Sequence, residues 1–164
     1  MSKLGVVGIV LFFLGLIVPV ICLVRQIQFN QQCGGYLKQA ADANSIELAI
    51  ERLDIALNYI EAHDLTQGYT SVLWKTEDEN VEYWYRNIKA CRDELVENVD
   101  ASPLQKSNML MKVRESLTDD GGENGVKITV PPGISRYPYN AIYGILRTIS
   151  WIMIFLGISL FKVD

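Results

Sequence analysis

The sequence predicts an all-α membrane protein: a two-helix transmembrane hairpin with a small three-helix soluble domain inserted between its helices, plus a short extended segment. Three observations predict it. Leu4 to Val24 is a run of 21 residues without a charge. Ala141 to Phe161 is a second apolar run, and its only charge is Arg147. Between them, two capping boxes each open a stretch whose apolar residues recur at helical spacing. A helix rises about 1.5 Å per residue, so roughly 20 residues cross the about 30 Å of hydrocarbon in a bilayer. Both runs meet that length.

The first helix is expected over residues 4–24. A cleaved signal peptide would end in small residues at A-x-A spacing, and Pro19-Val20-Ile21 has none. Ile21 before Cys22 is equally poor for lipoprotein processing, so an uncleaved anchor is expected. Pro19 need not end the helix, because neighbouring helices and waters satisfy freed backbone groups in a membrane. Stepping by threes and fours gives Gly5, Gly8, Phe12, Gly15, Pro19 and Cys22, a mostly small face that lets another backbone approach closely.

Residues 25–140 form the expected soluble domain. They hold twelve Lys/Arg against eighteen Asp/Glu, a net −6 within a chain of net −4. An acidic domain argues against nucleic acid as a partner and against adhesion of the domain to anionic lipid headgroups. Gly34-Gly35 is expected to interrupt the helix leaving the membrane. Ile46, Ile50, Leu53, Leu57 and Ile60 then mark one face of a helix over about 36–64, with Leu48, Ile55 and Tyr59 widening that face. Thr76 and Glu79 form a capping box that predicts a helix over about 77–99, with Val81, Trp84, Ile88, Cys91, Leu95 and Val99 as its buried stripe. Ser102 and Gln105 form the second box, and Pro103 suits the first helical position, which predicts a helix over about 103–118. Asp119 to Gly125 reads as a solvated loop, and Val126 to Val130 alternates as a short strand would. Pro131-Pro132-Gly133 ends it before the second membrane helix, expected over 141–161. That helix carries a row of Tyr143, Arg147, Ser150, Ile154 and Gly157. Gly5, Gly8, Gly15, Ser150 and Gly157 are the candidate membrane-packing residues.

Catalysis finds no support in these residues. His63, the single histidine, ends the first soluble helix, where it suits the helix dipole. Glu61, His63 and Asp64 do not share a helix face, so a metal site is not expected. No serine or cysteine sits in a nucleophile motif, and no glycine pattern resembles a phosphate loop. Neither a cofactor nor a metal is expected. Cys33 and Cys91 are the only pair the domain offers for a disulfide if it faces an oxidising compartment, and a plain buried thiol is the stronger expectation for Cys91. The aromatic stretch from Gly68 to Asn87 offers a recognition surface, because Tyr, Trp and Arg dominate interface hot spots. Trp74, Tyr83 and Tyr85 are its candidate contacts, and Trp84 is expected in the core.

Arg147 is the remaining candidate. It lies about two turns inside its helix, on the order of 10 Å deep by the helix rise. It either snorkels to the headgroups, where Tyr137, Tyr139 and Tyr143 belong, or pairs with a carboxylate from another chain. Snorkelling is favoured. The chain is therefore expected to be an integral membrane protein of two spans, acting through contacts: an accessory or assembly subunit of a membrane complex, or a homo-oligomer. A sensor or small-ligand module using the aromatic end is the alternative, and a membrane enzyme comes third. The expected partners are the bilayer and another membrane protein or a second copy. Lys3 and the amine ahead of the first helix favour an extracytoplasmic domain, whereas Arg25, Arg136 and Arg147 on the loop side count against it. Long loops translocate largely regardless of charge, and an extracytoplasmic domain is the expectation.

Overall fold

Gly34 and Gly35 do not interrupt the first helix. In the computed structural model, which describes residues 3–73, 75–120 and 125–162, α1 (Lys3–Phe29) passes directly into a π-helical turn, Asn30–Gly34, and then α2 (Gly35–Ala41). Both glycines have ordinary right-handed helical angles. A π turn carries one extra residue, which crowds the backbone on its inner side. A Cβ on Gly35 would lie 2.9 Å from the Asn30 carbonyl oxygen, so glycine permits this turn rather than ending the helix. Pro19 sits inside α1 without ending it.

The helix expected over 36–64 is two helices. The break falls at residues 42–45, and α3 (Ile46–Ala62) starts afresh from Ser45, whose hydroxyl accepts from the Leu48 N–H at 3.2 Å. The sequence "DANS" therefore ends one helix and caps the next. The following helix also starts later than its capping box. Thr76 donates its backbone N–H and its hydroxyl to the Glu79 carboxylate, at 3.3 and 2.9 Å, around a single 3-10 turn, Glu77–Glu79. Asn80 then caps α4 (Val81–Glu97), accepting from the Tyr83 N–H at 3.0 Å. Val99 lies beyond that helix. α5 (Pro103–Leu117) follows its box as expected, with Ser102 accepting from the Gln105 N–H and donating to the Gln105 side chain. β1 (Thr118–Asp120) takes in part of the expected loop and pairs antiparallel with β2 (Val126–Ile128). Residues 121–124, the rest of that loop, lie outside the described residues. α6 (Asn140–Lys162) closes the chain.

The molecule is mostly helical (76 %), and it divides into two units, residues 1–27 with 135–164, and residues 28–134. In the second unit α2 packs on α3 and α5, and α4 packs on α3 and α5. Its core runs through Phe29, Cys33, Leu37, Leu53, Ile60, Val81, Ile88 and Leu95, each no more than 1 % exposed. Four helices, not three, build this unit among the described residues. The fourth is the extension of α1 that Gly34-Gly35 was expected to stop.

In the first unit α1 and α6 run antiparallel. Gly8 lies against Gly157, and Gly15 against Ser150 and Ile154. A Cβ on Gly8 would come within 2.7 Å of the Gly157 carbonyl oxygen, and the reverse substitution meets the Gly8 oxygen equally closely. Gly5, Gly8, Gly15, Ser150, Ile154 and Gly157 are buried along this seam, whereas Arg147, expected in the same row, is exposed. Both helices are long and apolar enough to cross a membrane.

Candidate interaction sites

The aromatic end of residues 28–134 is built around the start of α4. The segment before it returns on itself through backbone pairing. Thr70 donates to the Glu79 carbonyl, and the Val81 N–H donates to the Gly68 carbonyl. Gly68 makes the turn at φ +92°, a conformation suited to glycine. This arrangement leaves Tyr83 67 % exposed on the first turn of α4, while Trp84 faces inward and donates its indole N–H to the Thr129 carbonyl at 3.0 Å. Trp84 thus ties α4 to the segment after β2. Tyr85 donates its hydroxyl to Glu61 at 2.7 Å, bridging α4 to α3, and that hydrogen bond raises its pKa above the usual phenol value. Tyr83 is free to meet a partner, and Tyr85 is engaged within the fold. Trp74 lies outside the described residues.

Beside Tyr83 and Trp84 is a cavity of about 330 Å³, walled on one side by Asn80, Asn87 and Ile88 and on the other by Leu117, Thr129 and Pro131. Glu77, Asp78 and Asp119 stand at it, and among the described residues no basic one does. Its far wall was not legible in the sequence, because Leu117, Thr129 and Pro131 come from a part of the chain about 40 residues away from Tyr83. Val72 and Leu73 are also exposed, at 61 and 81 %. Their signal was two apolar residues in a loop with no helical period to bury them.

His63 has an internal role. Its Nδ1–H donates to the Tyr59 carbonyl at 2.9 Å, and its ring stacks on Tyr59 at 4.0 Å. No group of three potential metal ligands occurs among the described residues. Cys33 and Cys91 are free buried thiols. The turn holding Cys33 packs on α2 and α3. Cys91 instead lies beside α5, where Ser116 hydrogen-bonds its sulfur. Burial pushes the Cys33 thiol up to about 12, and burial likewise raises Cys91 against the opposing effect of Ser116. Neither behaves as a reactive cysteine, which needs a depressed pKa.

Arg147 makes no ion pair among the described residues. One turn before it on α6, the Tyr143 ring lies under the Arg25 guanidinium, 5.3 Å from the ring centroid. Gly144 next to Tyr143 has open space where a side chain would stand. Sequence reasoning missed Arg25 as the neighbour of Tyr143, since 118 residues of chain separate them. No family model matches the chain, and no curated protein or solved structure matches it.

Proposed function

We propose that the chain is a membrane-anchored helical interaction module, an accessory or assembly subunit of a membrane complex or a homo-oligomer. α1 and α6 serve as the transmembrane hairpin, and residues 28–134 form the part that meets other proteins. The observation that carries this is the outward apolar surface of the two helices. Val10, Phe13, Ile17, Ile145, Ile152 and Phe155 are each at least half exposed. Only 11 % of the apolar window of the first helix and 17 % of that of the second is buried. A helix this apolar in a soluble core would be mostly covered, because exposing a large side chain to water forgoes about 1.5–3 kcal/mol. A bilayer covers that surface instead. A cleaved leader fits poorly with Gly8 and Gly15, which seat against α6.

The test is extraction of membranes from expressing cells. The protein should stay in the membrane through carbonate and high salt and leave only with detergent, and release by carbonate alone would refute the anchor. Protease added outside intact cells should remove a tag placed in residues 28–134 if the domain faces outward as expected, and full protection of the tag would place it on the cytoplasmic side. Co-purification in mild detergent should bring a partner or a second copy, with recovery reduced by Tyr83→Ala. The cavity beside Tyr83 supports a second reading, a small-ligand module. A compound that raises the melting temperature of wild type but not of Tyr83→Ala would favour that one.

A further inference from the structure

Among the described residues, the pair α1 and α6 carries cationic charge with no acidic side chain of its own. Residues 3–27 and 135–162 contain five Lys/Arg and no Asp or Glu, whereas residues 28–134 hold ten Lys/Arg against eighteen Asp/Glu. Three of the five gather at one level of the pair. Ser135 donates its hydroxyl to the Gln26 side chain at 2.8 Å, which brings their chain neighbours Arg136 and Arg25 to the same end. Arg25 stacks over Tyr143, and Arg147 stands four residues beyond Tyr143 on the same side of α6. None of these arginines makes an ion pair among the described residues.

The direction of α6 decides where Arg147 reaches. Side chains on a helix lean toward its N-terminus. The N-terminus of α6, Asn140, lies at the end where Arg25 and Arg136 are. Gly144, one turn before Arg147, leaves the path open, since a Cβ there would meet nothing within 4 Å. An Arg147 stem that follows this lean is directed toward the end where Tyr143 and Arg25 lie. Tyr139, 54 % exposed at this level, suits a headgroup region.

We infer that Arg25, Arg136 and Arg147, with Tyr139 and Tyr143, bind the phosphate headgroup of an anionic phospholipid. Guanidinium forks match phosphate oxygens two at a time, and Tyr143 supports one face of Arg25 while leaving its N–H edge for the anion. The bilayer is the source because Arg147 lies within an apolar run where the lipid itself is the neighbour. A second copy of the chain has no carboxylate in either run to offer. The inference rests on the membrane-anchor reading above.

The experiment places full-length protein in nanodiscs of phosphatidylcholine alone or mixed with phosphatidylglycerol, and reads retained lipid by native mass spectrometry. Incorporation into both discs is expected, with phosphatidylglycerol retained in preference. That preference should fall about fivefold for each of Arg25→Gln, Arg136→Gln and Arg147→Gln, near the effect of one basic residue at an anionic surface. The triple lysine variant should keep only part of it, because it retains the charge and loses the guanidinium forks, which separates charge from folding. Lys3→Gln, at the other end of the pair, should leave it unchanged. Equal retention of both lipids, undiminished preference in the triple glutamine variant, or an equal loss with Lys3→Gln would overturn the site. Displacement of the lipid by millimolar inorganic phosphate would make it a soluble-anion site. Loss of a co-purified acidic membrane protein, rather than lipid, from Arg147→Gln would assign Arg147 to a protein partner. Failure to enter phosphatidylcholine discs at all would overturn the anchor itself.

Discussion

Leu53 on α3 has no exposed surface, and Ile88 on α4 has 1 %, so each fills space that no neighbour can reoccupy when it is removed. Leu53→Ala should cost about 2–5 kcal/mol in chemical denaturation, the usual range for a buried leucine. Ile88→Asp should unfold residues 28–134, since a buried unpaired charge costs several kcal/mol. The cysteines give a second expectation. Cys33 titrates near pH 12, and its folded-state pKa lies above the unfolded value. Its thiolate is therefore scarce at neutral pH in the folded protein, and a maleimide should label it slowly there. After denaturation without reductant, Cys33 and Cys91 should both label completely by mass spectrometry. Any fraction that labels only after reduction would show that a disulfide exists. Tyr83 and Tyr85 show how far residue type alone goes. Both are tyrosines on one helix, yet only the turn of α4 decides that Tyr85 meets Glu61 and Tyr83 meets solvent.

Glycines decide how the long helices run. Gly8 and Gly157 meet backbone to backbone, so Gly8→Ala or Gly157→Ala must push α1 and α6 apart. Each should lower thermal stability in detergent by about 1–3 kcal/mol, the range for an overpacked contact. Gly144→Ala, with open space around it, should cost nothing and add the helix propensity of alanine. Equal effects at all three positions would mean that the seam does not run through Gly8 and Gly157. Gly35→Ala should also destabilise, because its Cβ would press on the Asn30 oxygen inside the π turn. Apart from that turn, the elements follow local signals closely. Ser45, Asn80 and Ser102 each accept a hydrogen bond from the N–H three residues on, and each starts a helix.

At the scale of the molecule, residues 28–134 hold their own core and should fold without the two apolar helices. The isolated segment should give a far-UV spectrum dominated by helix and melt cooperatively, and a coil or strand spectrum would contradict it. The outward apolar faces of α1 and α6 should make the full chain insoluble without detergent. Much of this was determined by sequence alone. The length of the two apolar runs follows from composition, and Ser102, Pro103 and Gln105 define their helix start within four residues. The small faces of α1 and α6 were also legible, because helical spacing places Gly5, Gly8 and Gly15 on one side whatever they meet. Tertiary structure decided the rest. Gly34-Gly35 reads as a breaker until packing of Phe29, Cys33 and Leu37 holds the helix through a π turn, since burial outweighs the intrinsic cost of glycine. Cys33 and Cys91 remain apart because different helices bury them. Arg25 and Tyr143 meet only because α1 and α6 align antiparallel, and no local signal specifies a contact between residues so distant in the chain.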